Sequence, residues 1–487
     1  MQQLQTRPLH VVILNWRDTT HPEGGGSERY IERIATDLAA EGCAVEIFCS
    51  RHPGVPRQVR RDGVLFRHAG GRLSVYARAL GALLRQRFTG RGPDVVIDVH
   101  NGIPFFAQLV AGCPVVVLVH HVHREQWQVV FGRVMATVGW WLESWVSPWV
   151  HRDCQYITVS EVTRRELVEL GVREGSVAVV HNGAQRIRAA QPDRDPEPSL
   201  VVLGRLVPHK RVEHALAALA VLVPEFPDLR LRVIGEGWWR PELQQEAERL
   251  GVADRVTFTG FIDENTKEEL LARSWLMLAP SVKEGWGLMV VEAAAHGVPT
   301  IAYRSAGGLS ESIDDDRTGL LVDDLPGLIS ATRTLLTDHR RRNALGDCAR
   351  EHIGGFNWAT ASASMLLLLR RAARRLPAIS VIDPSDPALP DAGQDRAGSG
   401  RRPYDGSGSI SSARAQPIDP ARSAPLNSVR PRTFDSDGAR TFDSDGARTF
   451  DLRADVPAVA QAAQHGISRR RRRLDDSPAS ARRARPT

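Results

Sequence analysis

Two carboxylates eight positions apart, Glu284 and Glu292, flank a glycine-containing turn in the stretch KEGWGLMVVEAAAHGVPT. The free amides and the macrodipole at a helix start favour anions. A helix beginning near Gly287 would present the amides of Gly287 and Leu288 to a diphosphate. Glu284 then lies in the preceding loop and Glu292 more than a turn inside the helix, and either acid would repel a phosphate at contact distance. They are suited instead to accept hydrogen bonds from hydroxyls on the two sides of a diphosphate, one side a sugar and the other a ribose. That combination describes a nucleotide sugar. Countercharge is expected from Arg205 and Lys210 in LGRLVPHKR, since a guanidinium grips phosphate bidentately and an ammonium serves as a point charge. Taken singly, such cations are ordinary surface residues; their place at the end of an apolar run singles them out.

Other constellations add to this set or compete with it. Gly25 and Gly26 in HPEGGGSERY let backbone approach a phosphate closely, and the following helix adds a second positive end. A dinucleotide fingerprint fits Gly24 and Gly26, but its third glycine is replaced by Arg29, so hydride transfer is not indicated. His120, His121 and His123 follow the run PVVVLV. No carboxylate is spaced with them for zinc, and neither a metal nor another cofactor is expected. The Asp-x-Asp spellings at 193–195, 435–437 and 443–445 have no strand before them. Trp141, Trp145 and Trp149 share one helical face, beside Trp140 and between Arg133 and Arg152. That stripe fits a lipid headgroup region, and fits equally a core or inter-domain seam.

The elements that must position these residues are legible as β-branched runs alternating with helical patterns. HVVILNW, AVEIFCS, DVVIDVH, PVVVLVHH, YITVS and VAVVHNG read as buried parallel strands. QRIRAAQPDRDPEP interrupts them as a linker at 185–198, after which SLVVLGRL, LRLRVIGEG, RVTFTGF, WLMLAPS, PTIAYRS and GLLVDD restart the pattern. The expectation is an α/β protein of two Rossmann-like doubly wound domains, 1–184 for acceptor and 199–345 for donor, facing across a cleft. Ligands in such sheets collect at the carboxyl ends of strands. Helices at 346–376 follow. From 377 to 487 the composition turns to Pro, Ser, Asp and Arg, with RTFDSDGA repeated at 432 and 440, and reads as a disordered low-complexity tail.

The Glu-x7-Glu pair, the GRL loop with Lys210, EAAAHGVPTIA followed by Gly307 and Gly308, and the glycine-rich loop with its helix together resemble glycosyltransferase family 4, retaining enzymes of the two-domain GT-B fold. The likeness extends over about residues 9–376. It implies that Glu284 contacts the donor sugar, Glu292 the ribose, and Arg205 and Lys210 the diphosphate. It further implies that His120 faces the donor sugar near the anomeric carbon, and that GGFNWATASASMLLLLRRAARRL crosses back onto the first domain. Metal-free, retaining transfer follows from the same likeness. His123 and Trp141 stand as acceptor-side candidates.

Composition sets the remaining bounds. Sixty-three basic against 57 acidic residues is a mild excess that does not demand nucleic acid, and RRRRR at 469–473 reads as a solvated charge run. Only Lys210, Lys267 and Lys283 are lysines, which argues against Schiff-base chemistry. Five scattered cysteines suit neither a disulfide framework nor a zinc site. The first residues lack the pattern of a signal peptide, and 132–150 carries Arg133, Glu143 and Pro148, which disfavours spanning. A cytoplasmic protein is expected, with peripheral contact at the inner face of the plasma membrane as a further option. Its expected partners are a nucleotide-sugar donor and a saccharide or lipid-linked acceptor. Two other readings stay open: a nucleotide-sugar epimerase of the same fold, and a non-catalytic scaffold that binds nucleotide sugar and recruits partners through its tail.

Overall fold

Valine- and isoleucine-rich runs with no polar alternation suit strands covered on both faces. In the computed structural model, which describes residues 7–124, 127, 132–184 and 193–383, such runs build two sheets. The first contains β1 (His10–Leu14), β2 (Ala44–Cys49), β3 (Gln58–Arg61), β4 (Val64–His68), β5 (Val95–His100), β6 (Val115–Val119), β7 (Gln155–Thr158) and β8 (Val177–Val179), in the order β3-β4-β2-β1-β5-β6-β7-β8. The second contains β9 (Ser199–Leu203), β10 (Arg230–Ile234), β11 (Val256–Gly260), β12 (Leu276–Ala279), β13 (Thr300–Tyr303) and β14 (Gly319–Val322), in the order β11-β10-β9-β12-β13-β14. Neighbouring strands are parallel throughout both sheets except at the β3–β4 hairpin. That hairpin has no counterpart among the expected strands. Asp62 and Gly63 both take positive φ at its tip, as a two-residue turn of this hand requires.

The winding reverses between β1 and β5 in the first sheet and between β9 and β12 in the second. Crevices open outside the carboxyl ends of strands at such switch points. The loops after β1, β5, β9 and β12 are therefore the ones able to form a site.

The chain crosses between the domains twice, and the two crossings lie side by side. Ala184 N–H donates to Phe356 C=O at 2.8 Å, and a Cβ on Gly183 would stand 2.3 Å from the Trp358 nitrogen. Asn357 then caps the Trp358–Ala373 helix through the Thr360 amide at 2.7 Å. Met365, Leu366, Leu368 and Leu369 are buried in the core that holds β1 and β5, and Leu367 is buried too, so the second half of this helix is enclosed while Ala359, Thr360 and Ala363 stay exposed. Ser362 Oγ ties it to Asp37 of the Gly26–Ala40 helix at 2.6 Å.

Of the segment read as a linker, residues 193–198 are described, and they are docked. Arg194 donates to the carbonyls of Ala272, Ser274, His296 and Gly297 at 2.7 to 2.9 Å. Asp195 accepts from Arg232 at 2.5 Å and Arg273 at 3.1 Å. The segment read as tail also starts later than Pro377. Gln155 exchanges two 2.8 Å hydrogen bonds with the Ile379 backbone, and Ile379 and Ile382 pack on the first core, because these two apolar side chains interrupt the polar composition. The rest of the expected tail, 384–487, lies outside the described residues. Among those described, no helix is long and apolar enough to cross a membrane, and the five cysteines are free.

Candidate active site at the domain seam

The second domain supplies the half expected to meet the anion. β9 ends at Leu203, and the turn that follows places Arg205 and Lys210 beside the end of β12, around a small cavity lined by Gly204, Arg205, Lys210, Pro280, Ser281 and Met289. The Leu288–Ala295 helix starts where expected, after Gly287. Gly287 has φ +87°, and a Cβ there would stand 2.2 Å from Leu309 Cδ2, so only glycine fits. The first ladder bond runs from Val290 N–H to Gly287 C=O at 2.9 Å, which leaves the earlier amides for a ligand. Glu284 sits in the loop before this helix, its carboxylate bonded to the Lys210 ammonium. Glu292, one turn in, accepts from Lys267 at 2.5 Å and Arg29 at 3.1 Å. The two acids thus occupy separate sub-regions, Glu284 with one cation and Glu292 with two.

The first domain closes over this half. A Cβ on Gly25 would stand 3.1 Å from Arg205 Nε, and one on Gly26 3.2 Å from Leu288 Cδ1. Gly25, Gly26, Arg205 and Leu288 therefore meet at one seam. Glu28, fully buried, accepts from the Gly25 amide at 2.7 Å and from Arg17 at 3.3 Å. Burial pushes its pKa up, but Arg17, Arg205 and the Gly25 amide outweigh burial and hold it below the ordinary value. Burial and then the nearby Arg17 lower the Arg205 pKa, against the pull of Glu28, Glu23 and Glu284. Two crowded guanidiniums at a helix start form a positive centre suited to an anion.

His120 follows β6 and lies at the same seam, since a Cβ on Gly285 would stand 2.2 Å from its carbonyl oxygen. Its ring stands edge-on to Tyr30 with centroids 5.3 Å apart, and burial lowers its pKa to about 4. It is therefore a neutral hydrogen-bonding group at ordinary pH. His123 is turned to Glu143, whose Oε1 lies 3.0 Å from both its amide and its Nδ1. Trp141, Trp145 and Trp149 are 52%, 63% and 64% exposed. The stripe is an outer face, and the core alternative for it is excluded. Trp141 is thus not brought together with the residues at the seam.

Several residues of the seam carry no sequence signal of their own. Lys283 pairs with Glu166 of the Glu161–Glu169 helix. Glu311 accepts from the Glu161 amide at 2.9 Å and the Val162 amide at 2.5 Å, capping that helix from the other domain. Trp286 is buried between His181 and Phe356, with centroid distances of 4.5 and 5.0 Å. Among the described residues, the groups spaced to hold a metal ion are Asp18, Cys49 and His68, and Asp98, His100 and His151; neither includes His120, His121 or His123.

Residues 24–186 match the family described as Glycosyltransferase Family 4, and residues 184–352 match Glycosyl transferases group 1. The chain belongs to the family 4 glycosyltransferases. Relatives share this character over different lengths. A D-inositol 3-phosphate glycosyltransferase of Streptomyces avermitilis is 28% identical over 75% of this chain and 85% of its own. Glycogen synthase of Mycobacterium tuberculosis is 32% identical over 51% of this chain and 61% of its own, under two thirds of that enzyme. Among solved structures, sucrose-phosphate synthase from Thermosynechococcus elongatus superposes with a TM-score of 0.64 at 20% identity, covering 75% of this chain and all of that one. This likeness shows the GT-B fold.

Proposed function

We propose that this family 4 chain transfers a sugar, with retention and without a catalytic metal ion, from a nucleotide-sugar donor to a saccharide or lipid-linked acceptor. The observation that carries the reading is the seam where the Gly25–Gly26 loop meets Arg205 and Leu288, beside the Lys210–Glu284 pair. Lys210 and Glu284 satisfy each other. An incoming diphosphate draws Lys210 away and frees the Glu284 carboxylate for sugar hydroxyls, while Glu292 receives the ribose. As the bond from the anomeric carbon to the phosphate oxygen breaks, charge grows on the leaving diphosphate. Arg205, Lys210 and the amides of Gly287 and Leu288 stabilise it in a site closed to water. The acceptor hydroxyl attacks from the same face and gives its proton to the leaving phosphate oxygen, so the anomeric configuration is kept. Neutral His120 donates or accepts a hydrogen bond at the donor sugar.

The test is transfer by the full chain from UDP-, GDP- and ADP-sugars with no divalent cation added, and product configuration read by NMR. Expected is turnover with one nucleotide series and an unchanged anomer. An inverted anomer, or strict need for magnesium or manganese, overturns this mechanism; conversion of the sugar nucleotide without acceptor indicates an epimerase. Binding without turnover against any acceptor indicates the scaffold. Names as different as glycogen synthase and D-inositol 3-phosphate glycosyltransferase among the relatives leave the acceptor at class level.

A specific observation favours a membrane-borne acceptor. Val134, Met135, Val138, Trp141, Trp145 and Trp149 are all exposed along 133–150, and apolar stripes rich in Trp settle at the headgroup boundary. The full chain is expected to float with vesicles containing anionic lipid, and a variant with Trp141, Trp145 and Trp149 changed to Ser is expected to remain at the bottom of the gradient. Equal flotation of both, or none by either, removes the membrane reading.

A further inference from the structure

Asp98 and His100 stand two apart on β5, on one face of the strand. His151 follows the Ser147–Val150 helical turn. All three side chains are buried, with exposures of 0 to 4%. Asp98 is held in place by backbone: its Oδ1 accepts the Phe105 amide at 3.0 Å and its Oδ2 the Ala107 amide at 2.9 Å. Each oxygen also faces an imidazole, Oδ1 lying 3.8 Å from His100 Nε2 and Oδ2 3.8 Å from His151 Nε2. Those separations are too long for hydrogen bonds, and neither Nε2 has a hydrogen-bond partner among the described residues.

The His151 tautomer follows from its other nitrogen. Nδ1 lies 2.9 Å from the Ser147 carbonyl oxygen, so Nδ1 carries the proton and donates, and Nε2 presents a bare lone pair toward Asp98. A backbone carbonyl fixing one imidazole nitrogen so that the other can ligate is the outer-shell arrangement of metal-bound histidines. Two imidazole nitrogens and a carboxylate then converge, all three ligand atoms within 4.8 Å of one another. A His151 lone pair facing the Asp98 carboxyl group with no hydrogen bond between them is left uncompensated unless positive charge lies there.

We propose that Asp98, His100 and His151 form a binding site for one divalent cation of the zinc class, with water or hydroxide as fourth ligand. Two nitrogens and one oxygen suit zinc or cobalt better than magnesium or calcium, which take oxygen. Bonds of about 2.0–2.1 Å at tetrahedral angles put neighbouring ligand atoms about 3.4 Å apart, so a small inward movement completes the site. The role is structural: the cation ties β5, the 105–107 turn and the end of the 133–150 segment together. Phe106 lies over His151 with stacked rings 5.9 Å apart, shielding the position. The second cluster is unlike this one, because Asp18 is already bonded to His68 at 3.1 Å and Arg61 at 2.8 Å, with a guanidinium where a cation would go.

The experiment uses the full chain, stripped with chelator and then titrated with zinc or cobalt. Expected are one equivalent bound, a higher thermal midpoint, and the visible d–d bands of tetrahedral cobalt without a thiolate charge-transfer band. His100→Gln and His151→Gln are expected to lose this equivalent, whereas Cys49→Ser keeps it. No stoichiometric uptake by the wild-type chain, an octahedral spectrum, or a thiolate band overturns the proposal, and none of these readouts needs a folded variant. Undiminished uptake by a folded His151→Gln chain overturns it equally.

Discussion

Glu284 and Lys210 are 13% and 16% exposed and bonded to one another, so neither is free until a ligand separates them. Under the proposed mechanism, Lys210→Ala removes a cation from the leaving group and leaves Glu284 without its partner. The expected loss in kcat is about 10²- to 10³-fold, the usual cost of deleting one charge-stabilising donor. Near-normal kcat in a steady-state assay would remove Lys210 from the mechanism; a thermal midpoint close to wild type would separate loss of chemistry from loss of fold. Gly25, Gly26, Arg205 and His120 were legible because each stands at the end of an apolar run or in a glycine turn, where residue type and position point the same way. Arg29 and Lys267 were not. Both lie on helices where charged residues read as solvated surface, and Arg29 was notable only for spoiling a dinucleotide fingerprint. Three dimensions give both to Glu292, a contact across 263 positions for Arg29 that no local pattern encodes.

At the scale of elements, closure depends on one helix start. The Glu161–Glu169 helix is capped within its own domain by Ser160, which accepts from Thr163 N–H at 3.2 Å, and from the opposite domain by Glu311. A carboxylate at a helix N-terminus contributes about 0.3–2 kcal/mol, depending on burial, so this contact biases the closed arrangement. Glu311→Ala is expected to raise the donor KM several-fold with a smaller change in kcat, and to enlarge the radius of gyration in solution scattering. Unchanged KM and scattering would mean that closure does not depend on the cap. The expected strands were all found because continuous Val and Ile runs have few other uses. The β3–β4 hairpin escaped because QVRR is an edge strand with half its residues charged, as edges that must avoid further pairing often are. The tryptophan stripe was ambiguous for another reason: helical spacing identifies an apolar face and does not say what covers it.

For the whole molecule, buried histidines couple stability to acidity. Burial lowers His120 and His296 to about 4, and His209 and His214 to about 3. Their folded pKa values lie below that of an exposed imidazole, so the unfolded chain binds protons first as pH falls. Their contribution is complete above about pH 6.5 and is lost as the pH drops toward 4. For His120 alone the difference amounts to about 3 kcal/mol at most. The urea midpoint is expected to fall steadily between pH 7.5 and 5, and His120→Asn to flatten part of that slope; equal midpoints at the two pH values would contradict it. The Trp358–Ala373 helix carries a different consequence. Because Met365, Leu366, Leu368 and Leu369 complete the core around β1 and β5, the first domain to leave the ribosome lacks a wall until more than 170 further residues, counted from Ser199 to Leu369, have been synthesised. The second domain, whose sheet is complete by Val322, can assemble while the first still waits, reversing the usual N-terminal-first order of folding.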